Sequence, residues 1–264
     1  QFTDDAKIDI EQFELRWFDR WLKGVQNGVD KEPPVRIYVM GGGDGHKTPE
    51  GRIFVGGHWR DENEWPLKRT QPTAYYLREN GLLAASKPAA AAKPVTYAFD
   101  PRRPVPTIGG NISSQGALMF AGAADQRCRA GFWLCEDTLP LSARNDVLVF
   151  QTPPLAADLE VTGRLIVKLW ASSNAPDTDF TAKLIDVWPP SRDFPAGFDM
   201  NLADSIVRAR YHGDFRAKAE LLVPGKPYEF TIEMYPTSML VKRGHRIRLD
   251  ISSSNFPRFD VNPN

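Results

Sequence analysis

The chain has 264 residues, 42% of them hydrophobic and 25% charged, close to the averages for a soluble globular protein. Lys plus Arg balances Asp plus Glu at 33 each, so no net field draws the chain to nucleic acid or acidic lipid. No apolar run approaches the roughly 20 residues of a bilayer-crossing helix, so no membrane span is predicted.

The first residue is Gln1, and no signal-peptide pattern follows it. Val261-Asn262-Pro263-Asn264 reads as a turn in mid-course, so both ends are expected to be cuts within a longer protein. The opening stretch predicts a helix. Ile10, Phe13, Trp17, Phe18, Trp21 and Leu22 recur at three- and four-residue steps, and Gly24 stands where a C-terminal cap belongs. Such an aromatic stripe must be buried against something sizeable, and nothing nearby in sequence is an obvious partner. Pro33-Pro34 ends this region, and residues 35–40 read as a strand running into Gly41-Gly42-Gly43-Asp44-Gly45. That loop lacks both phosphate-binding spacings and a following helix, so it reads as a plain loop.

Beyond residue 50 the signals are nearly all β, and the 22 prolines leave little room for helices. Residues 84–94 read as a surface connection. Leu159, Val161, Leu165, Val167 and Leu169 alternate with polar residues, with Gly163 marking a bulge. Tyr228, Phe230, Ile232 and Met234 alternate likewise, as do Ile247, Leu249 and Ile251 against Arg246, Arg248 and Asp250. Each strand is expected to show one apolar and one wet face. Several such strands with long connections predict a mainly β fold, a jelly-roll sandwich.

Cys128 and Cys135 are the only cysteines and share one loop-like stretch. A local disulfide in an exported protein and two unpaired thiols in a cytosolic one both remain open, which leaves the compartment undecided. No second ligand pair suggests zinc, and no HExxH or EF-hand pattern occurs, so neither metal nor cofactor is expected.

The nucleophile signature G-x-S-x-G is absent from the sequence. His46, His58, His212 and His245 are formal candidates for a base, but His245 reads as a turn histidine bonded to backbone. Asp177 and Asp179 suit turn capping better than calcium, and Asp204 suits an ion pair with an arginine at a sheet edge. Leu118, Met119 and Phe120 lie between glycines without strand alternation; they either face a neighbouring pocket or tuck into their own domain.

Residues 16–24, Pro34–Gly41, Trp65-Pro66-Leu67, Pro106-Thr107-Ile108-Gly109-Gly110, the runs 172–184 and 244–258 together resemble the cocaine esterase and X-Pro dipeptidyl-peptidase (CocE/NonD) family. The resemblance implies an α/β-hydrolase domain followed by a galactose-binding-like jelly roll. Residues 1–45 would be the last helix and strand of the first, residues 46–264 the second. In such proteins the Ser-His-Asp triad lies in the hydrolase domain, so no residue here inherits a catalytic role. The resemblance also implies that Leu118, Met119 and Phe120 line an acyl or aromatic pocket. Phe13, Trp17, Phe18 and Trp21 would meet the hydrolase domain, and the parent would act on a small ester, amide or peptide. Nucleic acid is not an expected partner, and a homo-oligomer is compatible with the reading. The rival is a free-standing sugar- or ligand-binding sandwich without catalysis; it predicts clustered exposed aromatics, whereas Trp59, Trp65, Trp133, Trp170 and Trp188 are scattered in sequence.

Overall fold

The computed structural model describes residues 2–89, 93–110, 122–132, 134–213, 216 and 218–263. Its strands, in chain order, are β1 Val35–Gly41, β2 Gly57–Glu62, β3 Tyr76–Leu77, β4 Leu83–Ala84, β5 Leu148–Gln151, β6 Leu159–Ala171, β7 Asp179–Trp188, β8 Phe198–Arg208, β9 Tyr228–Val241 and β10 Arg246–Ser252. One four-stranded sheet runs β2-β1-β9-β6 and the other β5-β10-β7-β8, while β3 and β4 form a short ribbon. The second sheet is antiparallel throughout; in the first, β1 runs parallel to β9. The chain is thus mainly β, an open two-sheet sandwich.

Alternation explains the packing. Phe230, Ile232 and Met234 of β9 point inward to meet Phe180 and Ala182 of β7 and Ile247, Leu249 and Ile251 of β10, all buried. The rings of Phe180 and Phe230, one from each sheet, sit 4.7 Å apart. Each such side chain contributes roughly 1.5–3 kcal/mol on full burial. Gly163 interrupts the β6–β9 register between Gly163 and Leu165, with a φ of +124°, so a bulge forms where the sequence predicts one.

Two expectations are corrected. The strand at residues 35–40 does not stand apart with a preceding domain. As β1 it pairs with β2 from Val35 to Met40 and continues parallel to β9 at Met40 and Gly41. It is therefore the first strand of the sandwich. The polar face of β10, expected to be wet, is dry, as is the polar face of the neighbouring β7. Lys183, Arg248 and Asp250 are all buried. The connection between β4 and β5 covers them, carrying its own small apolar cluster of Val105, Ile108, Ala124, Cys128, Leu141 and Val147.

The helix α1, Ile10–Lys23, forms as its periodicity predicts. Asp9 caps it, its carboxylate accepting from the Gln12 amide at 3.0 Å, and Gly24 ends it with a φ of +73°.

Candidate functional site

Helix α1 is oriented unusually for a surface helix. Its charged side faces its own chain: Arg16 pairs with Glu32, Arg20 with Asp30 at 2.8 Å, and Asn27 donates to the Arg16 carbonyl at 2.7 Å. Its apolar side faces away from the sandwich. Phe13, Trp17, Phe18 and Trp21 are 48%, 46%, 51% and 55% exposed, and no residue of the helix is buried. Ile8, Ile10, Leu15, Leu22 and Val25, on the helix or beside it, are exposed as well.

The second feature is built on the outer face of the β5-β10-β7-β8 sheet. Leu118, Met119 and Phe120 lie outside the described residues, but the chain on both sides of them is firmly held. Upstream, the Val105 amide donates to the Ser254 hydroxyl at 2.8 Å and the Thr107 amide to the Phe256 carbonyl at 2.7 Å. Downstream, the Gln126 amide donates to the Asp199 carbonyl at 2.8 Å and the Asn201 amide to the Ala124 carbonyl at 3.2 Å. The two sides touch at Gly109, whose φ is +77° and where a Cβ would stand 2.2 Å from that of Ala124.

Behind this contact lies a largely buried polar network. Lys183 of β7 donates to Gln126 Oε1 at 3.3 Å. Arg248 bonds Asp199 at 2.8 Å and pairs with Asp250 at 2.9 Å. Asp204 accepts from Asn255 at 2.8 Å and pairs with Arg258. Burial pushes the Lys183 ammonium down to about 8, against the opposing pull of Asp250. Burial likewise raises the Asp250 carboxyl, its Arg248 partner notwithstanding. The Tyr97 phenol, bonded to Ser253 at 2.7 Å, is pushed up to about 12 by burial. Desolvation favours the neutral form in each case.

The remaining sequence candidates take structural places. His245 bonds the buried Asp186 carboxylate at 2.9 Å, where backbone was expected, and lies 4.3 Å from the Trp188 ring. His46 is held by Asp44 at 2.6 Å and stacks on Phe54; His212 packs against Tyr228. Asp177 accepts from the Arg210 amide at 2.9 Å and from Asn262 at 2.9 Å, while Asp179 pairs with Arg208 at 2.9 Å. Two arginines and an amide thus occupy the carboxylates that calcium would need, and no group of three metal-ligating residues occurs among the described residues. Asp204 pairs with an arginine as expected, but in the buried layer and not at an exposed edge. Ser252, Ser253 and Ser254 engage Thr181, Tyr97 and Val105. Cys128 and Cys135 are joined by a disulfide with Cα atoms 5.5 Å apart, beside the small apolar cluster.

Sequence reasoning missed the pairing of Lys183 with Gln126. Fifty-seven positions separate them, and neither shows in local periodicity.

The family model described as the X-Pro dipeptidyl-peptidase C-terminal non-catalytic domain matches residues 27–264. Over 256 residues the chain is 37% identical to the cocaine esterase of Rhodococcus sp. (strain MB1 Bresler), covering 94% of this chain and 38% of that protein. An aminopeptidase structure from the marine sediment archaeon Thaumarchaeota archaeon superposes with a TM-score of 0.67 at 29% identity, over 94% of this chain and 37% of that one. An α-amino acid ester hydrolase structure gives 0.69 at 27% identity, over 94% and 38%. The chain therefore spans less than two fifths of the length of these relatives.

Proposed function

This chain belongs to the cocaine esterase and X-Pro dipeptidyl-peptidase (CocE/NonD) family, of which it carries the C-terminal non-catalytic domain, and from that premise we propose that it works as the sandwich half of a serine acyl hydrolase. In this reading an α/β-hydrolase domain supplies the serine, histidine and acid, and hydrolysis of a small ester, amide or peptide passes through an acyl-enzyme. Leu118, Met119 and Phe120 form one wall of the acyl pocket. The domain boundary lies between α1, which packs with the hydrolase, and β1, which opens the sandwich.

The observation that carries this reading is the aromatic side of α1, turned outward while the charged side is tied to its own chain. Docking a large domain there would bury the half of each side chain now in water, worth about 1 kcal/mol apiece.

Intact mass after treatment with a fluorophosphonate probe tests the assignment of chemistry. The full-length protein is expected to gain one adduct and the 264-residue chain alone none. An adduct on the short chain, or none on an actively folded full-length protein, would overturn the reading.

A further inference from the structure

The inner face of β6 is not fully covered. Leu165 and Val167 stand opposite Met234 and Ile232 of β9 and share their side of the sheet. They are only half-buried, whereas their β9 neighbours are buried. β6 is the last strand of its sheet, and beyond β10 the opposing sheet continues only as β5, four residues long against the thirteen of β6. The uncovered length opens into a cavity of about 580 Å³. Leu184, Ile247 and Leu249 form its floor and Leu77 and Leu83 its far wall, while the exposed residues 69–73 lie at its mouth. Its volume falls within the roughly 300–1,000 Å³ of small-molecule sites.

Shape and charge select the occupant. The lining takes in residues 159–162 and 164–168, so the cavity follows β6 for about 30 Å at roughly 3.3 Å per residue. Spread over that length, 580 Å³ leaves a mean cross-section of about 20 Å². An added peptide strand needs about 4.8 by 10 Å, more than twice as much. A single hydrocarbon chain touching its walls at about 4 Å needs only roughly 16 Å². Of the four charged side chains in the lining, Arg69, Arg164 and Lys168 are cationic and Glu160 alone is anionic. Arg164 and Lys168 pair with Glu233 and Glu229, and all four of these side chains are exposed. Such pairs are weak, so their cations can turn to another carboxylate at little cost. We propose that this cavity binds an unbranched fatty acid, with its chain laid along β6 and its carboxylate drawn to the cationic rim. The proposal is independent of the acyl-pocket reading.

The test uses the full-length protein and cis-parinaric acid, whose fluorescence rises in apolar surroundings. One saturable site per chain is expected, from which dodecanoate displaces the probe. Leu165→Trp, which fills the cavity, should weaken probe binding about tenfold. Arg164→Glu with Lys168→Glu should weaken dodecanoate about tenfold and leave dodecanol within about twofold, since only the acid carries a charge. Absence of a saturable site, or equal binding by wild type and Leu165→Trp, overturns the proposal. Binding lost in Trp17→Ala with Trp21→Ala but kept in Leu165→Trp would place the probe on helix α1 and overturn it too. Equal weakening of dodecanoate and dodecanol by the charge reversal overturns the carboxylate assignment. If Leu165→Trp lacks a cooperative melt, Thr70→Trp, at an exposed position of the same lining, is held to the same outcomes.

Discussion

Lys183 shows how a single residue can oppose the stability of the fold that holds it. Its ammonium ionises at about 8 in the folded chain, against an ordinary 10.5. Between those values the folded state has released a proton that the unfolded state keeps, so stability rises with pH across that window. Below it, the protonated lysine, facing Gln126, Asp250 and Arg258, costs on the order of 3 kcal/mol. Tyr97 acts oppositely. Its phenol ionises at about 12 instead of 10.0, so the folded state retains a proton that the unfolded state loses, and that contribution is lost as pH climbs through this higher window. Urea midpoints of the wild type and Lys183→Met, compared from pH 7 to 10, isolate the lysine. The wild type should gain on the variant by most of that amount between pH 8 and 10. A constant difference would show that the ammonium is better solvated than its burial implies.

At the scale of elements, legibility in the sequence depended on whether a partner left a local mark. Helix α1 could be read from its own spacing, as could β6, β9 and β10, because each needs only one apolar side and shows it by period. The bulge at Gly163 was equally local. β1 was legible as a strand but not as a member of the sandwich, since its parallel neighbour β9 lies some 200 positions on and parallel pairing leaves no turn to recognise. The buried polar layer failed to show for a related reason. Arg248 and Asp250 alternate as wet residues would, and only the connection folded over them makes them dry. His245 likewise gives no local sign that its partner is Asp186. The join of β1 to β9 can be tested at Gly41, where φ is +96° and a Cβ would stand 2.2 Å from the Leu240 carbonyl oxygen. Gly41→Ala combines an unfavourable backbone with a clash and should cost about 2–5 kcal/mol. Gly24→Ala, at a φ of +73° with nothing within 4 Å, carries only the backbone penalty, roughly 1–2 kcal/mol. Denaturant midpoints that fail to separate the two variants would mean that β1 is not pinned to β9.

For the molecule as a whole, the sandwich and the helix make different demands. The sandwich closes its own core around Phe180, Phe230 and Met239. The helix has no fully buried residue, although the Trp17 and Trp21 rings lie 5.7 Å apart, tilted against each other, in a patch that water disfavours. The same substitution should therefore read differently in two contexts. In the 264-residue chain, Trp17→Ala with Trp21→Ala removes exposed surface and should move stability by no more than about 0.5 kcal/mol. It should also suppress self-association, which sedimentation at increasing concentration would reveal. In the full-length protein the same pair would lose a filled interface. At roughly 1–2 kcal/mol per ring, half of it burial and the rest cavity, the melting temperature should fall by several degrees. Equal melting shifts in both contexts would place the helix's partner within the sandwich itself. A shift in neither, with self-association intact, would mean that the aromatic face meets no domain of its own protein.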